Sequence, residues 1–343
     1  MMEGLGILAS EGAEAAGFRS GKAYRLAGAA AVLLLVFAAL QGFRGRPVAF
    51  GLGVAPDVFP EGAARFIQGT EARGPLFNSQ DFGGYLLWSL YPVHRVFMHS
   101  DFQNSVVSDH LVARFFQSEQ DPATFDALVA DYRIELLVLP NQSASWAFVA
   151  ADPRWALLHW DQVASVYARR GGVNAPLIAA RELRLTRYAA DLSYLVPLAR
   201  DPGRFAAAAA ELRRLAAEDP QNLAARLSLA FLLKARGQDL PEALAAVAAA
   251  ERGGLRDATL LAWKAEILAG LGRGAEAEAA AREALRLNPG ARAARLVLAD
   301  LRARAGDREG AAQILRALLA LPDLAPEQRR EAEARLRALP RPP

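Results

Sequence analysis

Three rhythms of apolar and polar residues divide the chain. Residues 26–43 are apolar without interruption apart from Gln41. Residues 58–170 mix short apolar runs of the buried-strand kind with segments whose apolar positions fall three and four apart. From about residue 187 onward the helical spacing takes over completely. The expected fold is therefore α/β plus all-α: an N-terminal tail (1–25), a transmembrane helix (26–43), a small mixed α/β sandwich domain (58–170), and a helical region (187–339).

Within the middle region the pattern predicts a helix over 60–68 and strands over 75–78, 95–98 and 134–139. A helix over 122–132 carries Phe125, Leu128 and Val129 at helical spacing. Residues 155–160 and 163–168 read as a hairpin closed at Asp161-Gln162. A βαβ-like order followed by a hairpin implies a mixed sheet with helices on it. Residues 171–184 read equally well as linker or packed edge.

The helical region has a longer period. Gly203, Gly237, Gly272 and Gly306 recur at spacings of 34, 35 and 34, each at the expected stop of a first helix. Small residues follow at Ala208, Ala243, Ala277 and Ala311, where paired helices must approach closely. Pro220, Pro289 and Pro322 close the second helices. In the unit at 257–289, Leu261, Ala265, Leu268, Gly272, Ala277, Ala284 and Pro289 stand where tetratricopeptide repeats (TPRs) place their signature residues. The region resembles a TPR α-solenoid with a degenerate first unit at 187–220, its first helix broken by Pro197, and a capping helix at 326–339.

The resemblance implies a groove lined by first helices and used for a protein or peptide partner. The TPR frame places Phe231, Lys234, Glu266, Asp300 and Arg304 there, among small and apolar neighbours. These charges are mixed in sign, without the basic clamp that grips a peptide's terminal carboxylate.

The middle region carries a second likeness. The run Phe77-Asn78-Ser79-Gln80-Asp81-Phe82-Gly83-Gly84-Tyr85 continues through Leu90-Tyr91-Pro92 and Arg95-Val96-Phe97-Met98. Further on come Tyr132-Arg133-Ile134-Glu135, Asp152-Pro153-Arg154-Trp155 and Val166-Tyr167-Ala168-Arg169. In that order they resemble the soluble C-terminal domain of bacterial polytopic membrane proteins of the GT-C glycosyltransferase type. A ligand site retained from that family is expected at Asn78, Asp81, Tyr85, His99 and Asp101, near strand ends. Two departures stand out. The family has many membrane helices and this sequence offers one, and His99-Ser100-Asp101 replaces the family's Asp-Gly-Arg. Packing roles account for the same residues more simply: Gly83-Gly84 for a close backbone approach, Tyr85 and Trp88 as core aromatics, Asp81 as an N-cap.

Composition removes several functions. With no cysteine, the chain has no disulfide, thiolate metal site or thiol nucleophile. The histidines His94, His99, His110 and His159 show no metal-ligand spacing, so neither metal nor other cofactor is expected. Forty basic and 37 acidic residues are interspersed and leave a net charge of +3, which argues against nucleic-acid binding. Residues 26–43, about 27 Å long as a helix, reach across a bilayer core of about 30 Å. The alternative is a signal-peptide core, with Val36-Phe37-Ala38 resembling a cleavage site. Arg19, Lys22 and Arg25 before the run outnumber Arg44 and Arg46 after it, which implies a single-pass inner-membrane protein with an exported body. The expectation is a membrane-anchored TPR scaffold. The alternative is a truncated or split GT-C relative acting on lipid-linked sugar.

Overall fold

Short apolar runs make the sheet, and alternation along them decides what covers it. The computed structural model describes residues 58–100, 109–321 and 324–339. The predicted tail and membrane helix, Asp101 and Pro322 lie outside these. Among the described residues no helix is long and apolar enough to cross a membrane. What is described is mostly helical with a small sheet, all within one compact unit spanning 55–343.

The chain runs through α1 (Glu61–Gln68), β1 (Leu76–Asn78), α2 (Gln80–Leu90), α3 (Asp109–Gln117), α4 (Pro122–Asp131), β2 (Leu136–Pro140), β3 (Trp155–Trp160) and β4 (Ala164–Arg169). The strand order is β1-β2-β4-β3, with β1 and β2 parallel and the other pairs antiparallel. A parallel pair needs a long crossover, and α2 to α4 provide it. Leu76, Leu136 and Val138 pack with Ala63, Phe66 and Ile67 of α1 and with Phe82 and Leu86 of α2. Their neighbours Phe77, Leu137 and Leu139 turn to the other face, against Phe115, Phe125, Leu128 and Trp146. Because β2 is buried on both faces, it reads as one continuous apolar run. At the start of α4, Asp121 accepts from the N–H groups of Ala123 and Thr124, and Pro122 occupies the first turn.

Residues 95–98 do not form the predicted strand. Asn78 takes the place of a ladder: its Oδ1 accepts from Phe97 N at 2.8 Å and its Nδ2 donates to Met98 O at 2.7 Å. A Cβ on Gly83 would come within 1.9 Å of Met98 O, so the segment lies against bare backbone of α2. The hairpin loop is one residue longer than expected, Asp161 Oδ1 accepting from both Val163 N and Ala164 N at 2.7 Å. In β3 the register slips between Leu157 and His159. This bulge turns His159 toward α1, where it stacks on Phe66 at 5.2 Å. Residues 171–184 are packed edge, not linker. Helix α5 (Ala175–Arg181) buries Ile178 with the sheet, and Leu183 N donates to Leu157 O at 2.8 Å.

The array follows as α6 (Leu195–Arg200), α7 (Pro202–Glu218), α8 (Leu223–Arg236), α9 (Leu240–Arg252), α10 (Ala258–Gly270), α11 (Gly274–Leu287), α12 (Arg292–Arg304), α13 (Arg308–Leu319) and α14 (Pro326–Ala338). Gly237, Gly272 and Gly306 take φ of 71°, 75° and 82°, the left-handed conformation that ends α8, α10 and α12. Ala208, Ala243, Ala277 and Ala311 are fully buried at the helix–helix contacts. Gly203 departs from the predicted turn role and sits in the first turn of α7. There, Asp201 both ends α6 and caps α7, with Pro202 following, so no left-handed residue is needed. Pro197 falls inside α6, which is only six residues long.

Sheet and array share a core. Trp160 at the end of β3 packs with Leu198, Leu212, Leu215 and Leu229. Asn222 caps α8 through Ala225 N and donates its amide to Trp160 O at 2.7 Å. The Glu211 carboxylate of α7 accepts from the backbone N–H groups of Arg184, Leu185 and Thr186.

Candidate functional site: a charged groove on the first helices

One face of the array is built from α8, α10, α12 and α14, and its side chains are set by the repeat period. Phe231, Glu266 and Asp300 occupy equivalent positions, 35 and 34 residues apart. Lys234, one turn further along α8, reaches across to Glu266, Nζ to Oε2 2.5 Å. Its ammonium also lies 5.5 Å from the centre of the Phe231 ring and 5.8 Å from that of Trp263, the two rings being 5.4 Å apart. One carboxylate and two ring faces thus hold a half-buried cation in place.

Further along, Arg335 Nε of α14 meets Asp300 Oδ1 at 3.2 Å and Arg335 Nη1 meets Glu331 at 2.5 Å. Burial pulls on the Arg335 guanidinium in the direction of a lower pKa, but Glu331 and Asp300 outweigh it and hold it above its usual value. Arg304 Nη1 donates to Ala269 O at 3.3 Å, tying α12 to α10. Lys234, Glu266, Asp300 and Arg304 all line one cavity of about 480 Å³, together with Leu296 and Arg335. Four of the five residues the TPR frame selects therefore share one cavity wall, and Phe231 backs Lys234.

Trp263 and Arg335 belong to this face and escaped the sequence reading. Trp263 lies three residues before Glu266 on the same helix, and Arg335 lies 35 residues after Asp300. Carrying the repeat period into the capping helix would have found the second. Chemically the face offers cations and anions among small and apolar lining residues, which suits an extended polypeptide bearing charges of both signs.

The residues proposed for a site in the middle region have other surroundings. Asn78 is fully buried and its two amide hydrogens go to Ser79 O and Met98 O. Asp81 is exposed in the first turn of α2 and is not its cap, Ser79 occupying that position. Tyr85 is half-buried between Phe59, at 5.6 Å, and Trp88, at 5.7 Å. Trp88 is 76% exposed and so is no core aromatic. His99 is half-buried beside the Met98 carbonyl that Asn78 holds. Asp101 is outside the described residues.

No protein-family model matches the chain, and no curated protein sequence matches it. Solved structures with helical repeats do. A thermophilic TPR protein of Thermus thermophilus, TTC0263, is 26% identical, covering 43% of this chain and 82% of its own at a TM-score of 0.36. A TPR protein from Parabacteroides merdae is 22% identical, covering 42% and 58%, with a TM-score of 0.33. YrrB, described as a TPR protein with an unusual peptide-binding site, is 17% identical, covering 42% and 77%, with a TM-score of 0.31. The TPR character of the array stands on its own period, left-handed turn glycines and buried alanines.

Proposed function

We propose that the chain is a membrane-anchored TPR scaffold whose α8–α10–α12–α14 face takes an extended segment of a partner protein. The observation that supports this reading is the cavity lined by Lys234, Glu266, Asp300 and Arg304, where charges are held by one another and by rings. A partner carboxylate exchanging with Glu266 at Lys234 keeps the cation satisfied throughout. A partner side chain on Leu296 excludes water from the exchanged pair. Residues 26–43 would hold the body at the inner membrane, with the array exported.

The experiment is capture from membranes with the full chain, comparing wild type with Phe231→Ala plus Arg304→Glu. The expected outcome is a defined partner that the double variant loses. An identical set of captured proteins from both would sink groove recognition. The glycosyl-transfer alternative is disfavoured at Asn78, whose amide is already engaged by Ser79 O, Met98 O and Phe97 N.

A further inference from the structure

We propose that His159, Asp161 and Asp219 bind a divalent transition-metal ion where the β3–β4 hairpin meets the loop between α7 and α8. The three are 2%, 3% and 5% exposed, and a ligand atom from each lies within 4.8 Å of the others. Polar groups so deeply buried normally have hydrogen-bond partners. His159 Nε2 has none. Its nearest carboxylate oxygen, Asp161 Oδ2, is 3.6 Å away, too far for an N–H···O bond but close to the ~3.4 Å edge of a tetrahedral zinc site with ~2.1 Å bonds.

The surroundings fit an ion better than a second hydrogen-bonding side chain. Asp161 uses Oδ1 to close the hairpin, leaving Oδ2 turned inward. The roof is the bare α-carbon of Gly62: a Cβ there would stand 2.2 Å from Asp161 Oδ2 and 2.7 Å from Asp219 Oδ2. Any larger residue fills the space between the carboxylates. Two carboxylates face one imidazole, and the cation paired with Asp219 is Arg65, at 3.0 Å. Arg65 is half exposed and already reaches Glu61 at 3.3 Å, so it has an alternative partner when a metal draws on Asp219. An adjoining cavity of about 230 Å³, reaching Thr70, leaves room for water to complete the coordination.

One imidazole nitrogen and two carboxylate oxygens suit Zn²⁺, Co²⁺ or Mn²⁺. Ca²⁺ wants six to eight oxygens, which the cluster does not supply. The ion would cross-link the hairpin to the first helix pair of the array, at the seam where the two regions share a core. Because neither piece alone carries the full donor set, binding would favour the joined state.

The full chain, stripped with a chelator and titrated with Zn²⁺ alone, is expected to bind a single equivalent and to show a raised thermal midpoint. His159→Gln and Asp219→Asn should each weaken binding by more than the roughly 10- to 100-fold that altering a ligand's supporting contacts costs. His110→Gln, at an exposed position on α3, should bind as wild type. In the wild-type Mn²⁺ complex, spin-echo spectroscopy should show an imidazole nitrogen on the ion. Failure to retain Zn²⁺, undiminished binding by both ligand variants, or an all-oxygen Mn²⁺ spectrum would each overturn the site. The last readout decides even where a variant does not fold.

Discussion

The sheet body and the helix array bury their apolar surface by different means. Around the sheet, Phe77 touches four rings, those of Phe97, Phe115, Phe125 and Trp146, at centroid distances of 4.9 to 5.6 Å. Each of those contacts is unique, and Asn78 and Gly83 add one-of-a-kind fits beside them. In the array, Ala208, Ala243, Ala277 and Ala311 repeat one contact four times, and Asn222 and Asp257, 35 residues apart, repeat one cap. A jigsaw core makes every piece depend on the rest. A repeated contact makes each unit depend mainly on its neighbours.

The largest effect that separates the two is expected from Phe77→Ala. Removing the ring at the centre of the cluster should cost about 3–5 kcal/mol in denaturant unfolding. Amide exchange should rise on β1, β2 and α4 together. In Leu315→Ala, at a fully packed position of α13, the rise should stay within α12 to α14. Were both variants to loosen the whole chain equally, the contrast between unique and repeated packing would be lost.

Asn222→Ala probes the seam. It removes the α8 cap, worth about 1 kcal/mol, and strands the buried Trp160 carbonyl, worth a further 1–3 kcal/mol or so. The expected loss is about 2–4 kcal/mol, with one unfolding transition splitting into two as sheet and array uncouple. A loss under about 0.5 kcal/mol with a single transition would mean that the shared apolar core alone joins them.

Repetition also explains what the chain disclosed before its structure was known. The array announced itself because Gly237, Gly272 and Gly306 each solve the same turn problem at the same interval, so three weak signals add. Gly203 kept the interval and lost the role, since Asp201 and Pro202 had already made the turn. In the middle region the strands were legible where burial on both faces left an unbroken apolar run, as at β2. Residues 95–98 have that same apolar look yet owe their place to one amide, Asn78, which no periodicity can indicate. Four residues that line the α8–α10–α12 cavity, Lys234, Glu266, Asp300 and Arg304, follow from the repeat frame, whereas Arg335 lies in a helix read only as a cap. The His159, Asp161 and Asp219 cluster was illegible for two reasons: a bulge re-aims His159, and Asp219 comes from the loop after α7.

The smallest effect expected is a pH-dependent one at the α5 edge of the sheet body. Glu182, just after α5, accepts from Arg170 at the end of β4 and from Arg184 Nε at 2.9 Å. The Arg170 hydrogen bond holds its carboxyl below the ordinary value of 4.5, with Arg184 adding to the effect. A carboxyl depressed in the folded state stabilises it fully above the unfolded value, and that contribution fades as pH falls through the folded value. Glu182→Gln keeps an acceptor for Arg170 and leaves the Arg170 bond to Pro153 O untouched. The wild type should therefore exceed the variant by no more than about 1 kcal/mol near neutral pH, since the arginines are largely solvated. The gap should close progressively below pH 4.5. A gap that persists unchanged into acid would show that Glu182 acts through shape at the α5–sheet edge, and that edge would then owe nothing to its charge.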